Sequence, residues 1–177
     1  CQTCVCVGVN RSLIPTVAGF GGLAIKVTPS PPSSPAPVAL RLTSPNWSCV
    51  SKYITAAGTL GSTPVFQTPA EWGTITVVDE DIVPSSNYRV VAECGTLTTS
   101  AGQGTTAPWG DVNLNGQVNF LDLSLMVEVF QDGVAVSQLP VFDLFPCNSD
   151  ARVNFLDIAE DVNAFQGDPY PCTPPCP

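Results

Sequence analysis

The chain has 177 residues, a net charge of −9 from fifteen acids against six bases, and no histidine. So acidic a surface argues against a nucleic-acid partner. Without histidine the usual general base and the familiar hydrolase triads are missing, so the sequence predicts a protein that is not an enzyme. No apolar run is long enough to cross a membrane, and no leader segment is recognisable, which implies that any signal peptide has been removed.

Eight cysteines with no histidine and one methionine point to disulfides in an oxidising setting, and hence to a secreted, extracellular protein. Zinc is disfavoured, because the cysteines do not form paired Cys-x-x-Cys knuckles. At the start of the chain, Cys1, Cys4 and Cys6 flank Val5–Val9, which alternates as a strand does. It is either the first strand of its own sheet or one donated to a neighbouring subunit. Lipid attachment would suit Cys1 at that position, and trimming of a longer chain explains it equally well.

Across residues 1–106, β-branched or alternating runs recur at Leu23–Thr28, Val38–Thr43, Thr74–Val78, Tyr88–Ala92 and Leu97–Thr99. Gly, Pro and Ser clusters separate them, the pattern of an antiparallel β-sandwich. The segment Ile82-Val-Pro-Ser-Ser-Asn-Tyr-Arg-Val-Val-Ala92 resembles the penultimate strand of fibronectin type III and related sandwiches. Residues 28–37 are Pro- and Ser-rich and should be extended. That tract suits O-glycosylation, and Asn10 and Asn46 sit in formal N-glycosylation sequons. Many cysteine pairings are possible, and we place Cys49 with Cys94 inside the sandwich and Cys147 with Cys172 across the C-terminal tail. Thr105–Trp109 reads as a short linker, with Trp109 packed where two modules meet.

Residues 107–168 differ in character. The string Val-Asn-Phe-Leu-Asp occurs twice, at 118–122 and 153–157. Ahead of the first copy, Asp111, Asn113, Asn115, Gly116, Gln117 and Asp122 match positions 1, 3, 5, 6, 7 and 12 of an EF-hand loop. A hard cation such as calcium requires oxygens at that spacing and a glycine at the sharp turn. Asn119 falls at position 9, where a water commonly intervenes. A shift of 35 residues places Asn148, Asp150, Arg152, Asn154 and Asp157 at positions 3, 5, 7, 9 and 12 of a second loop. That loop carries Pro146 at position 1 and Ala151 at the glycine position. Asp143 takes the first position if three residues around Pro146 and Cys147 bulge out. Residues 107–177 carry the entire net charge of −9, which two divalent ions would reduce to −5. Glu160 and Asp161 read as acids that keep a surface soluble.

Each loop leads into an amphipathic helix with an Asn cap, Asn119 or Asn154, and a later glycine, Gly133 or Gly167. The apolar sets Phe120, Leu123, Val127, Phe130 and Phe155, Ile158, Val162, Phe165 are expected to pack on one another as a small core.

Residues 109–167 resemble a dockerin, the duplicated calcium loop-helix module of secreted bacterial proteins, on the strength of Asp111-Val-Asn-Leu-Asn-Gly-Gln-Val-Asn119 and its partial repeat. The resemblance implies calcium in both loops and helices that face a cohesin-type receptor. At loop positions 10 and 11, however, this chain has Phe120-Leu121 and Phe155-Leu156 where cellulosomal type I dockerins carry small hydroxyl residues. The apolar pairs are therefore expected inside the protein. The predicted architecture is mainly β with a small α module: a disulfide-braced sandwich (1–106), a two-helix dockerin-like calcium domain (107–168) and an extended Pro/Cys tail (169–177). Its predicted role is that of a calcium-stabilised structural protein that self-associates, for example as the subunit of an extracellular fibre. The alternative is a module that docks to a cohesin-like receptor, with the sandwich as cargo or sugar binder.

Overall fold

A computed structural model describes residues 13–31, 35–45, 47, 50–147 and 149–173. The predicted strand Val5–Val9, the cysteines Cys1, Cys4, Cys6, Cys49 and Cys176, the sequons at Asn10 and Asn46, and the loop residue Asn148 lie outside them.

Two antiparallel sheets face each other. One has three strands in the order β1 (Thr16–Gly19), β2 (Ala24–Thr28), β6 (Ile75–Val78). The other runs β5 (Leu60–Gly61), β4 (Lys52–Ile54), β3 (Ala39–Thr43), β7 (Asn87–Cys94), β8 (Leu97–Thr98), with β9 (Gly102–Thr105) also on β7. Alternation explains β7, whose Tyr88, Val90, Ala92 and Cys94 face inward while Asn87 and Arg89 face out. Ile25 and Val27 of β2 meet Leu40 and Leu42 of β3 in the same core. Short β4 and β5 and glycine-rich β9 lack that alternation, so the sequence did not announce them.

Between β5 and β6 sits a single helical turn, α1 (Pro69–Trp72). Thr68 caps it, Glu71 returns a bond to the cap, and Pro69 opens it, a complete capping box. The turn drives Trp72 into the core, where its indole N–H donates to the Val38 carbonyl at 2.9 Å.

Tyr88 anchors the sandwich. Fully buried, its hydroxyl donates to the Asp81 carbonyl at 3.1 Å and accepts from the Val83 N–H at 2.8 Å. Removing that hydroxyl orphans the Val83 N–H, while the Asp81 carbonyl keeps the Trp47 indole N–H at 3.3 Å. Tyr88→Phe is expected to cost about 1–3 kcal/mol, read as a lower urea midpoint with an unchanged slope; an unchanged midpoint would show that these bonds contribute nothing.

The expected linker proves to be fastened down, and its first residue, Thr105, ends β9. Ala107 donates to the Gly21 carbonyl and accepts from the Ser85 N–H. Thr106 is buried, and its hydroxyl donates to the Val83 carbonyl at 2.7 Å. Beyond it lies a second apolar cluster built from Trp109, Val112, Met126, Val129, Phe142 and Ala164, with Phe20 packed against it. Trp109 thus sits where predicted, edge-on to Tyr170 at 5.9 Å.

Helices α2 (Phe120–Asp132) and α4 (Phe155–Gln166) form as expected, each with an Asn cap reciprocated by an Asp three residues on. Their inward faces are only in part the predicted ones, since Ile158 packs against the second core but the phenylalanines do not. Asp122, Met126 and Val129 are buried on α2, and Asp157, Asp161 and Ala164 on α4. Phe120, Val127, Phe130, Phe155 and Phe165 are exposed. The reason is helical phase: an aspartate turned into its loop puts the residues four and seven positions later on the same inward side, and the phenylalanines rotate out. A short helix, α3 (Leu139–Phe142), joins the halves and brings Val141 and Phe142 into the second core.

Cys147 and Cys172 are disulfide-bonded as predicted, with Cα atoms 5.7 Å apart. Cys94 is also in a disulfide. No helix of the described residues is long and apolar enough to cross a membrane.

Candidate metal centre

In the first loop the predicted oxygens are organised by the backbone. Asp111 is buried, and its carboxylate accepts the N–H groups of Asn115 at 3.0 Å and Gly116 at 2.8 Å. Asn113 Oδ1 also accepts from Asn115 N–H, and Asn115 Oδ1 accepts from Gln117 N–H. Asp122, fully buried, accepts from Asn113 N–H at 3.0 Å and from Asn119 N–H at 2.8 Å. These bonds wind the loop around its own side chains and turn it at Gly116, whose φ is 88°.

The second loop repeats the scheme with three extra residues. Asp143 occupies the place of Asp111: its Oδ2 accepts the Ala151 N–H at 2.7 Å, as Asp111 accepts from Gly116. Ala151 has φ 58°, so the turn survives without the glycine. Asp157 takes the place of Asp122, accepting from the N–H groups of Leu144, Phe145 and Asn154. The bulge adds Ser149, whose hydroxyl donates to Asp143 at 2.6 Å, a residue the sequence reading did not single out. Asp150 and Arg152 are exposed on the loop.

Buried orphaned oxygens test whether a cation fits. Among the described residues, Asp143 Oδ1 and both carboxylate oxygens of Asp161 are buried without a hydrogen-bond partner. An unpaired buried carboxylate is costly unless a cation, a water or a proton meets it. Among the described residues no three His, Cys, Asp or Glu side chains converge as a metal cluster. Any ion here therefore depends on the Asn side chains and backbone carbonyls as well as the carboxylates, which suits calcium and not zinc.

Asp161 overturns its reading as a solubilising surface acid, because it is fully buried. The sequence held a signal for this, since position 161 lies four residues beyond the inward-facing Asp157. Burial first, then the charge of Asp122, pushes its carboxyl up to about 7. Burial also raises Asp143 and Asp157 above the usual carboxylate range. The ion-free fold consequently binds these protons more tightly than the unfolded chain does. Their contribution is complete below the ordinary carboxylate value of 3.8 and disappears as pH rises through the raised values, about 7 for Asp161. In chelator the urea midpoint is therefore expected to fall between about pH 4 and about pH 7, and calcium should oppose that fall. A midpoint that rises with pH would contradict the burial of these acids.

Fold and loops together define an antiparallel β-sandwich followed by a loop-and-helix module. No family profile and no curated protein matches the chain. Among solved structures, a human fibronectin type III domain is 18% identical, the match covering 55% of this chain and 74% of that one at a TM-score of 0.34. A β-sandwich protein redesigned by computation is 17% identical, covering 52% and 86% at a TM-score of 0.33. Overlaps this slight carry no weight, and the sandwich class rests on the strand order above.

Proposed function

We propose that this chain is a secreted, calcium-stabilised structural protein that self-associates at a cell surface or in a matrix, with residues 107–168 acting as a dockerin-like calcium module. Calcium is a fold-stabilising ion in this reading: binding only the folded state, it stabilises that state by mass action. The Cys147–Cys172 disulfide supports an extracellular setting.

The observation that carries self-association is what the two helix starts expose. Phe120 is 69% and Leu121 64% exposed, and in the second half Phe155 is 71% and Leu156 50% exposed. The same apolar pair is left uncovered twice, at equivalent positions, against the expectation that both pairs would be interior. Large apolar groups left in water in this repeated way mark an interaction surface. The rival reading has the same pairs dock to a cohesin-like receptor.

Sedimentation velocity of the oxidised protein, with calcium and then with chelator, separates the two. Concentration-dependent assembly that the double variant Phe120→Ser/Phe155→Ser abolishes would support self-association. A monomer at every concentration would remove it and leave the receptor reading.

A further inference from the structure

The two loops of the helical module differ in carboxylates but not in net charge, because Arg152 offsets the third acid of the second. Within its loop the first half has two carboxylates, Asp111 and Asp122, whereas the second has three, Asp143, Asp150 and Asp157. Calcium affinity depends on the number of charged ligands and on the rigidity of the site, so a further carboxylate beside the first loop would strengthen it.

Asp161 stands beside that first loop although it belongs to the second half. A Cβ added at Gly110, the residue before Asp111, would meet Asp161 Oδ1 at 3.1 Å and the Ala164 Cβ at 2.5 Å. Gly110 has φ 83°, so the chain turns there in a conformation open to glycine and passes directly over this face of α4. Asp161 is fully buried, both its oxygens lack a hydrogen-bond partner, and Asp122 is close enough for their charges to repel. The position 35 residues earlier is Met126, also fully buried. Among the buried positions of the two helices the duplication therefore changes polarity here, where a thioether in one half corresponds to a carboxylate in the other.

We propose that Asp161 completes the first calcium centre from the opposite half of the module, accepting a hydrogen bond from a water held by that ion. This rests on the calcium reading above. Direct ligation is disfavoured, because Asp111, Asp122 and Asp161 do not converge as a three-carboxylate cluster. A bridging water needs only the roomier outer position, and it gives one of the orphaned oxygens a donor. The first site then gains a third carboxylate, held through water. Its occupancy becomes linked to the docking of α4, so that the ion in one half holds the helix of the other.

The test is calorimetric titration of calcium into the full, oxidised chain, comparing wild type with Asp161→Asn and Asp150→Asn, together with urea unfolding of each in chelator. Wild type is expected to bind in two steps. Asp161→Asn should weaken one step about tenfold and spare the other, while Asp150→Asn weakens the other. In chelator, Asp161→Asn should unfold at higher urea than wild type, because it removes a buried charge that lacks a partner. A residue that merely fills the core would not give this opposite pair of effects. Two steps unchanged in Asp161→Asn, or an Asp161→Asn protein that is less stable in chelator, would overturn the proposal while leaving calcium binding intact. A wild type that binds no calcium would overturn the calcium reading itself, and this inference with it.

Discussion

Stripping calcium should loosen α2 and α4 while the sandwich keeps its strands. Five acids, Asp111, Asp122, Asp143, Asp157 and Asp161, are buried in this part of the chain, whereas its single base, Arg152, is exposed. With the ions gone, only backbone N–H groups, the Ser149 hydroxyl and protons compensate them, and repulsion between the carboxylates favours opening. Each site filled at one hundred times its dissociation constant contributes about 2.7 kcal/mol, so loss of two sites removes several kcal/mol from a fold whose total margin is about 5–15 kcal/mol. The sandwich has its own core of Ile25, Leu40, Leu42, Val77, Tyr88 and Val90, and its fully buried acid, Asp81, is paired with Lys52. Amide hydrogen exchange reads the two parts separately. Chelator should abolish protection in α2 and α4 and leave β3 and β7 protected. Equal protection with and without calcium would mean that the loops do not need an ion.

Gly102→Ala should unfold the sandwich, the largest effect we expect from any single methyl group. At Gly102 an added Cβ would lie 1.6 Å from the Pro15 carbonyl oxygen, and at Gly104 a Cβ would lie 2.7 Å from that of Val17. Both obstacles are backbone atoms, which no rotamer change can move aside. Strands β1 and β9 belong to different sheets and meet along this seam, with Gly19 facing Thr105 in the same way. Relief requires separating the sheets along one edge, which forfeits core contacts at about 25 cal/mol per Å² of apolar surface. Loss of at least about 3 kcal/mol is expected in urea unfolding, against about 1 kcal/mol or less for Gly61→Ala, where an added Cβ meets only Thr55 Cγ2, at 3.4 Å. Equal midpoints for the two variants would contradict the close approach of β1 and β9.

How much of this was legible beforehand depended on the kind of signal. Strands β2, β3, β6 and β7 carried alternation, and the loops carried ligand spacing, so both could be read from local pattern. The strands β1, β4, β5 and β9 could not, because Thr-Val-Ala-Gly and Gly-Gln-Gly-Thr acquire their conformation from partners distant in the chain. Turn α1 was readable and overlooked, since Thr68-Pro-Ala-Glu71 is a capping box. Helix phase was misjudged for a more instructive reason. Hydrophobicity alone put Phe120 and Phe155 inside, whereas the loop-closing Asp122 and Asp157 point inward and turn those rings outward. The same misjudgment hid Asp161, which hydropathy assigns to solvent and the phase of α4 buries.

Native mass spectrometry of the oxidised protein, desalted into a calcium-containing volatile buffer, addresses the calcium module most directly. Two calcium ions bound to each chain, falling to one in Asp122→Ala and to one in Asp157→Ala, is the predicted result. A chain that carries no calcium under conditions that preserve its fold would contradict the account.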